Sequence, residues 1–479
     1  MDPNNIEKEY LRNLPEDHMA EWDICVVGAD GRSFAEELTL AYPRATIWWM
    51  EDPFYYEDSY NCRMDVITYA LSVCMSDRLY EIIRLWNNAL KKGAKALCAC
   101  DYRKHTVLSF LNGCQINGYS DVTPLKFDVY SMKRPGDDPD FLPDPGKTFL
   151  PRYERIYVLC PALYRSGGPE VLHQLVHCIN SLGGRADIAY VWTDDKEVYG
   201  NPDLIAYVAG HIVKVEDISD RPGIAVVSPE IYVEYLAEYE QADAFLWWLS
   251  ADNFEPTYPA ESLDMIWDFI RRLVPHNLYQ SVYAGEFCKM RGVAPETLAP
   301  LSDYISEQYL AGDHTDTDDR RDIVLYSPKR GLEFTKRLIA EAPDIQWTPI
   351  EKMSAAQVFE LMCHSKVYID FGNHPGKDRL PREAAMCGCC VITGLRGSAG
   401  YDEDVSIPQE YKFQERDEDI PAILGSIRKC LNGFVEEQKR FSEYRGIIRS
   451  EKSVFKICVE KLFFREDRSA DHMEKENDP

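Results

Sequence analysis

One stretch, KVYIDFGNHPGKDRLPREAAMCGCCVITGLRGS at 366–398, constrains the fold more than any other. Val367, Tyr368 and Ile369 form an apolar run of buried-strand length that breaks at Gly372 and Gly376. A short helix containing Arg382, Glu383, Ala384 and Ala385 follows, and a second apolar run at 389–392 ends at Gly394. Strand, loop, helix and strand in that order make one βαβ unit, the connection that parallel strands require. Its loop carries His374, Lys377, Arg379 and Arg382 within nine residues. The loop stands at the carboxyl end of the first strand, where open parallel sheets bind ligands. Cations in that place suit a phosphate, and Glu383 in the first helical turn suits the hydroxyls of a ribose or sugar.

The same alternation recurs along the chain. Strands are expected at 24–27, 45–50, 94–99 and 127–130, with a helix at about 33–41. After 155 come a strand at 156–160, the turn Ser166-Gly167-Gly168-Pro169, a helix at 170–182 and a strand at 188–192. Leu172, Leu175, Val176 and Ile179 share one face of that helix. Strands at 224–227 and 244–248 follow, and from Ile323 the pattern restarts with helices to about 342 and at 355–362. The segment 420–464 reads as long and helical. Strands alternating with helices imply an α/β fold with parallel sheets. A chain of 479 residues is too long for one core, and about three domains are expected. Five prolines within 131–151 rule out regular structure there. The expected division is an α/β domain at 1–135, a linker at 136–151, α/β domains at 152–315 and 316–465, and a disordered tail at 466–479.

Charge narrows the partners. Lys plus Arg number 53 against 80 Asp plus Glu, a net charge of −27 that repels nucleic acid and anionic lipid. The cations at 377–396 run against that field and are the more informative for it. No apolar burst approaches the ~20 residues needed to span a bilayer, and the polar amino terminus does not read as a signal peptide. A cytoplasmic protein is expected, with peripheral membrane contact left open. The fifteen cysteines are unpatterned, and neither Cys98 with Cys100 nor Cys387 with Cys389 and Cys390 has a partner pair at zinc-ligand spacing. Reduced thiols are the expected state.

Other positions carry candidate chemistry. Gly28-Ala29-Asp30-Gly31 after the first strand, with Glu51 and Asp52 after the second, outlines a nucleotide or S-adenosylmethionine site and faintly resembles the first motif of class I methyltransferases. Gly167 and Gly168 before a helix let backbone amides approach a ligand closely. His173 and His177 share a helix face, but Gln174 stands where a zinc hydrolase has glutamate, so a helix-surface or domain contact is expected. Asp252 and Asn253, just past a strand and amid aromatics, suit a sugar acceptor, with capping of the next turn as the alternative. Lys329 and Arg330, after the strand at 323, form with Lys377 and Arg379 a diphosphate clamp that Arg396 and Ser398 extend.

The Glu383-Ala384 dipeptide, its small-residue turn and the following hydrophobic strand resemble the donor-binding half of GT-B glycosyltransferases, close to the large retaining group. The Gly167-Gly168 loop resembles the glycine pair that faces the cleft in many of them. WWLSADNF, NLYQSVYA and LSDYISEQYL resemble a set of bacterial polysaccharide-locus transferases. The resemblance covers 152–465 and implies two facing Rossmann-like domains preceded by an additional α/β domain. It implies a nucleotide-sugar donor, a glycan or glycoconjugate acceptor, Lys329, Arg330, Lys377, Arg379 and Arg382 on the phosphates, Glu383 on the ribose, and Asp252 as acceptor contact or base. Where that group has a second glutamate, eight positions before Glu383, this chain has Pro375, and His374 is the nearest candidate for its role.

Glycosyl transfer needs a stabilised leaving diphosphate and a cleft that excludes water. GT-B enzymes generally stabilise the diphosphate with side-chain cations and helix amino ends, so metal-independent transfer with no cofactor beyond the donor is expected. A nucleotide-sugar epimerase of the same fold and a catalytically silent scaffold remain as alternatives.

Overall fold

Apolar runs of strand length, each followed by an amphipathic segment, build parallel sheets in two units. The computed structural model describes residues 10–14, 21–28, 31–50, 52, 64–69, 90–99, 120–124, 129–133, 141, 149–162, 167–191, 204, 207–208, 210–316 and 318–466. The first unit takes Met1–Thr148 with Tyr157–Ile218, the second Phe149–Ile156 with Ser219–Pro479. The expected domain at 152–315 is therefore divided at about 218. Within the first unit the Phe141 ring stands edge-on to His177 at 5.7 Å, so this residue of the proline-rich stretch packs on the helix that follows it.

In the first unit β1 (Asp23–Val27), β2 (Thr46–Met50), β3 (Met64–Tyr69) and β4 (Leu90–Ala99) are parallel, joined by antiparallel β5 (Ser120–Pro124) and β6 (Val129–Lys133), in the order β2-β1-β3-β4-β6-β5. Helix α1 (Arg32–Ala41) lays Phe34, Ala35 and Leu38 into the core. Strand β3 was not anticipated, because Asp65 and Thr68 interrupt its apolar run. Tertiary partners compensate: Thr68 Oγ1 donates to the Cys25 carbonyl at 3.4 Å, and the Tyr69 carbonyl accepts from Tyr10 Oη at 2.8 Å. At the glycine turn after β1 the Gly28 carbonyl accepts from Trp49 Nε1 at 3.0 Å; Ala29, Asp30 and Glu51 lie outside the described residues.

β7 (Phe149–Pro151) belongs to the second unit. β8 (Arg155–Pro161) is followed by α2 (Gly167–Ser181), β9 (Ala186–Val191) and β10 (Ile212–Val213), with strand order β10-β9-β8. Of the two histidines of α2, expected at a helix surface or domain contact, His173 is instead a core residue, while His177 is only half-buried. His173 is 1% exposed, with Nδ1 2.7 Å from the Pro169 carbonyl and Nε2 2.7 Å from Tyr190 Oη. His177 Nδ1 lies 3.2 Å from the Tyr207 carbonyl. Burial holds the His173 imidazole down at about 4, which makes it a neutral core residue.

The second unit holds two parallel sheets. One runs β11 (Ile224–Pro229), β12 (Asp243–Trp248), β13 (His276–Tyr279) and β14 (Leu298–Pro300) in that order, with α3 (Ala251–Thr257), α4 (Leu263–Leu273), α5 (Val282–Met290) and α6 (Glu307–Leu310) after its strands. The other has the order β16-β15-β17-β18, from β15 (Arg321–Tyr326), β16 (Gln346–Pro349), β17 (Ser365–Asp370) and β18 (Cys390–Thr393). Helices α7 (Leu332–Glu341), α8 (Ala355–Cys363) and α9 (Arg379–Met386) connect these strands. The segment expected as one long helix is three, α10 (Ile420–Asn432), α11 (Phe434–Glu437) and α12 (Ser442–Phe463), broken first at Gly433. The expected linker also needs correction at its end: β7 pairs antiparallel with β19 (Phe464–Glu466), and Arg152 Nε donates to the Phe464 carbonyl at 2.6 Å. Residues 467–479, expected as a tail, lie outside the described residues.

Candidate functional site

Three strand ends meet in the second unit. The loop after β17 approaches the loop after β15 so closely that a Cβ on Gly331, at φ +56°, would lie 1.9 Å from the Phe371 carbonyl oxygen. The same β17 loop reaches the turn after β12. There Ala251 N donates to the Pro375 carbonyl at 2.8 Å, and a Cβ on Gly376 would lie 2.1 Å from the Leu249 carbonyl oxygen. From below, Ser398 N donates to the His374 carbonyl at 2.9 Å and Ser398 Oγ to that of Gly376 at 2.6 Å. Ser398 is fully buried, so the phosphate role expected of it gives way to holding this loop.

Asp252, the second residue of α3, spans the meeting point. One carboxylate oxygen accepts from Tyr283 Oη of α5 and the other from Asn373 Nδ2 of the β17 loop at 2.5 Å. Burial, then the bond to Asp252, push the Tyr283 phenol upward. Asp404 fixes the start of α5 by accepting from Val282 N at 2.8 Å and Tyr283 N at 3.0 Å. Asn253 is exposed, its Nδ2 donating to Ser250 Oγ at 2.6 Å. The aromatics nearby are not the sugar platform their sequence position suggests. Trp247, Trp248 and Phe254 are all fully buried, and Trp248 stacks on Trp267 at 5.4 Å. Gly167 and Gly168 open α2 in the first unit, and Ser166 lies outside the described residues.

Apart from Lys329 and Arg396, the expected cations fall into two ion-paired groups. In one, Arg330 pairs with Asp370 at 3.3 Å and with Asp378, while His374 Nδ1 lies 2.6 Å from Asp378 Oδ2. Burial alone would lower the His374 pKa, but Asp370 and Asp378 outweigh it and raise the group above its ordinary value. With no exposed surface, His374 is held between Asp370 and Asp378 inside the protein, which corrects the catalytic role expected of it. In the other group Arg382, also fully buried, pairs with Asp303 and with Glu451 of α12, each at 2.8 Å. The expectation that Arg382 contacts a donor phosphate is corrected accordingly: its guanidinium also donates to the carbonyls of Lys377 and Asp378, at 2.9 and 3.1 Å.

Lys377 and Arg379 border this group while keeping some surface. Lys377 Nζ, 11% exposed, lies 2.8 Å from Glu451 and donates to Ser302 Oγ at 3.2 Å. Arg379 donates to the Tyr304 carbonyl at 3.2 Å. Lys329 is exposed, Arg396 pairs with Glu415 at 3.3 Å, and burial, then the charge of the half-buried Glu383, raise the pKa of Tyr309. Asp303, Asp370, Asp378, Glu451 and Glu230 escaped the sequence reading. Asp370 ends β17 and precedes His374 and Asp378 at spacings of four, a pattern that could have been noticed; Asp303 and Glu451 carry no local signal.

Glu230, directly after β11, is 2% exposed and accepts from Leu249 N at 2.9 Å. Burial pushes its carboxyl up to about 7, against the opposing pull of backbone hydrogen bonds from Leu249 and Ser250. The sign follows from linkage: the folded pKa exceeds the unfolded one, so this contribution is full below about pH 4.5 and is lost as pH rises through about 7. It amounts to about 3 kcal/mol. Glu230→Gln should remove that part of the slope, seen as a smaller drop in urea midpoint between pH 5 and 7.5 than in the wild type. Equal drops would contradict the assignment.

Among the described residues no group of three or more His, Cys, Asp or Glu side chains could hold a metal ion. Cys387, Cys389 and Cys390 are core residues, and burial pushes the Cys389 thiol up to about 12. No helix among the described residues is long and apolar enough to cross a membrane.

No family model and no curated protein matches the chain. Among solved structures it is similar to HepE of Anabaena in complex with UDP and glucose, at TM-score 0.46 and 12% identity, over 67% of this chain and 100% of that one. The lipopolysaccharide outer core galactosyltransferase WaaB in its apo form gives 0.43 and 12%, over 63% and 99%. Sucrose-phosphate synthase from Thermosynechococcus elongatus gives 0.40 and 12%, over 67% and 97%.

Proposed function

We propose that the chain is a glycosyltransferase that moves a sugar from a nucleotide-sugar donor to a glycan or other acceptor. One observation carries the reading: in the second unit the carboxyl ends of two parallel sheets meet through Asp252 and Asn373, with Arg330, Lys377 and Arg379 on the β15 and β17 side of the junction. Such ends are where parallel sheets take ligands. The donor diphosphate lies against Lys377 and Arg379, with Lys329 and Arg330 on the adjoining loop, and Lys377 exchanges Glu451 for a phosphate oxygen. As the bond from the anomeric carbon to the diphosphate oxygen breaks, these cations stabilise the leaving charge. The acceptor oxygen bonds to the anomeric carbon and gives its proton to Asp252, which Tyr283 and Asn373 hold in place. Glu383 takes the ribose hydroxyls. Side chains supply the neutralising charge, so transfer proceeds without a metal. Cytoplasmic assembly of a bacterial surface polysaccharide or glycoconjugate is the setting we assign.

A silent scaffold is the second reading, favoured by the ion-paired state of His374 and Arg382 and by Pro375. One assay separates them. A panel of nucleotide sugars is incubated with the protein, with and without glycan acceptors, and free nucleoside diphosphate is measured. Acceptor-dependent release is expected, unchanged by chelator, and at least about 100-fold lower in Lys377→Ala and Glu383→Ala. Wild-type turnover in both variants would remove the donor site, and loss of activity on chelation would refute metal independence. A converted donor sugar without diphosphate release would mark an epimerase.

A further inference from the structure

We infer that Glu230 is a positioning residue for this site: its buried carboxylate sets the turn at 249–252, and through that turn the donor loop at 373–376. The inference rests on the glycosyltransferase reading for its kinetic consequence, though not for its geometry. Glu230 sits at the end of β11, and its Oε2 accepts from Leu249 N at 2.9 Å, where β12 gives way to the turn. One buried side chain from a neighbouring strand thereby holds the amide that opens the turn.

Everything downstream is attached to that turn by short contacts. The Leu249 carbonyl packs on Gly376, Ala251 N donates to the Pro375 carbonyl at 2.8 Å, and Asp252 binds Asn373 at 2.5 Å. Movement of the turn cannot be absorbed before it reaches the donor loop, because the contact at Gly376 is backbone against side-chain-free backbone. The far end of α3 is tied to the same residue: Tyr258 Oη donates to the Glu230 carbonyl at 3.3 Å and to Glu234 Oε2 at 2.6 Å.

The titratable groups facing Glu230 are Tyr258, with Glu234 beyond it, and Cys288 on α5; among the described residues acting on the carboxylate, none is a cation. A buried carboxylate without a cationic partner is costly, and glutamine or an apolar residue would fill the space more cheaply. What glutamate offers is acceptor strength at the Leu249 amide, which sharpens as the group ionises. The cost falls on global stability while the gain falls on the placement of Asp252.

Hydrogen exchange on the full-length protein, read by mass spectrometry in wild type, Glu230→Leu and Glu230→Gln, tests the placement without any substrate. Glu230→Leu should raise exchange at least tenfold at both 249–252 and 373–377, with smaller changes in the β15–β18 strands. In the nucleotide-sugar assay it should lower kcat at least tenfold with donor KM within threefold, and Glu230→Gln should restore kcat to within threefold of wild type. Unchanged exchange at 373–377, or a uniform rise across the second unit, would overturn the inference. Should Glu230→Leu fail to fold, wild type and Glu230→Gln are compared between pH 6 and 8. A pH-dependent gain in protection at 249–252 confined to the wild type supports the assignment, and matching profiles overturn it. If the wild type turns over no nucleotide sugar, the functional reading fails, and the exchange experiment still decides the role of Glu230.

Discussion

Arg382→Ala is expected to destabilise the second unit by roughly 3–5 kcal/mol, the range seen when one partner of a buried ion pair is deleted. The side chain has no exposed surface, and removing it leaves Asp303, also fully buried, and Glu451, 5% exposed, facing each other across the vacated space. Arg379 and Lys377 remain nearby, but Arg379 Nε stands 3.7 Å from Asp303 and Lys377 reaches only the Glu451 side. Neither can take over both carboxylates. The carbonyls of Lys377 and Asp378, which lose their donors, lie in the donor loop, so that loop should loosen as well. A urea titration followed by fluorescence gives the loss directly. Adding Asp303→Asn to Arg382→Ala should return part of it, since a neutral amide is far cheaper to bury unpaired than a carboxylate. A variant with wild-type midpoint and a raised donor KM would instead restore Arg382 to the phosphate-binding role that its sequence position suggests.

Gly376→Ala should reduce turnover by roughly 100-fold or more while costing about 1–3 kcal/mol, the usual scale of overpacking. The added methyl would lie 2.1 Å from the Leu249 carbonyl oxygen and 3.0 Å from Gln280 Oε1. Gln280 can swing aside. The carbonyl cannot, because its own residue is held by Glu230 through Leu249 N and the following turn by the Pro375 carbonyl through Ala251 N. The loop and the turn must therefore separate by an ångström or more, and the Asp252–Asn373 bond lengthens with them. Diphosphate release and thermal midpoint, measured on the same preparation, distinguish a lost site from a lost fold. Wild-type values for both would show that the two sheets do not approach as described.

Much of the frame was legible locally. Strands β17 and β18 stand within two residues of their expected limits, because apolar runs bounded by Gly372 and Gly394 encode them without outside help, whereas α9 opens at Arg379, which puts Glu383 past the first helical turn where it was expected. Strand β3 was not legible, since Asp65 and Thr68 mask it until Cys25 and the neighbouring strands are in place. The WWLSADNF segment shows the opposite error. Its aromatics, beside Asp252 and Asn253, read as suited to stacking on a sugar, yet the stacked Trp248 and Trp267 belong to the core, which α4 completes from farther along the chain.

The candidate site divides in the same way. Sequence alone determined that cations and a glutamate cluster after a strand, and that Asp252 follows another, because strand ends and loop composition are properties of a few adjacent residues. Tertiary structure alone decided which of those charges pair with each other inside the protein and which keep some surface. Asp303 and Glu451 lie 79 and 69 residues from the arginine they neutralise, and Glu230 lies 19 residues from the amide it holds. Pairing over such distances depends on how helices and strand ends pack, and electrostatic partnership falls off within a few ångströms, so no local pattern along the chain can record it.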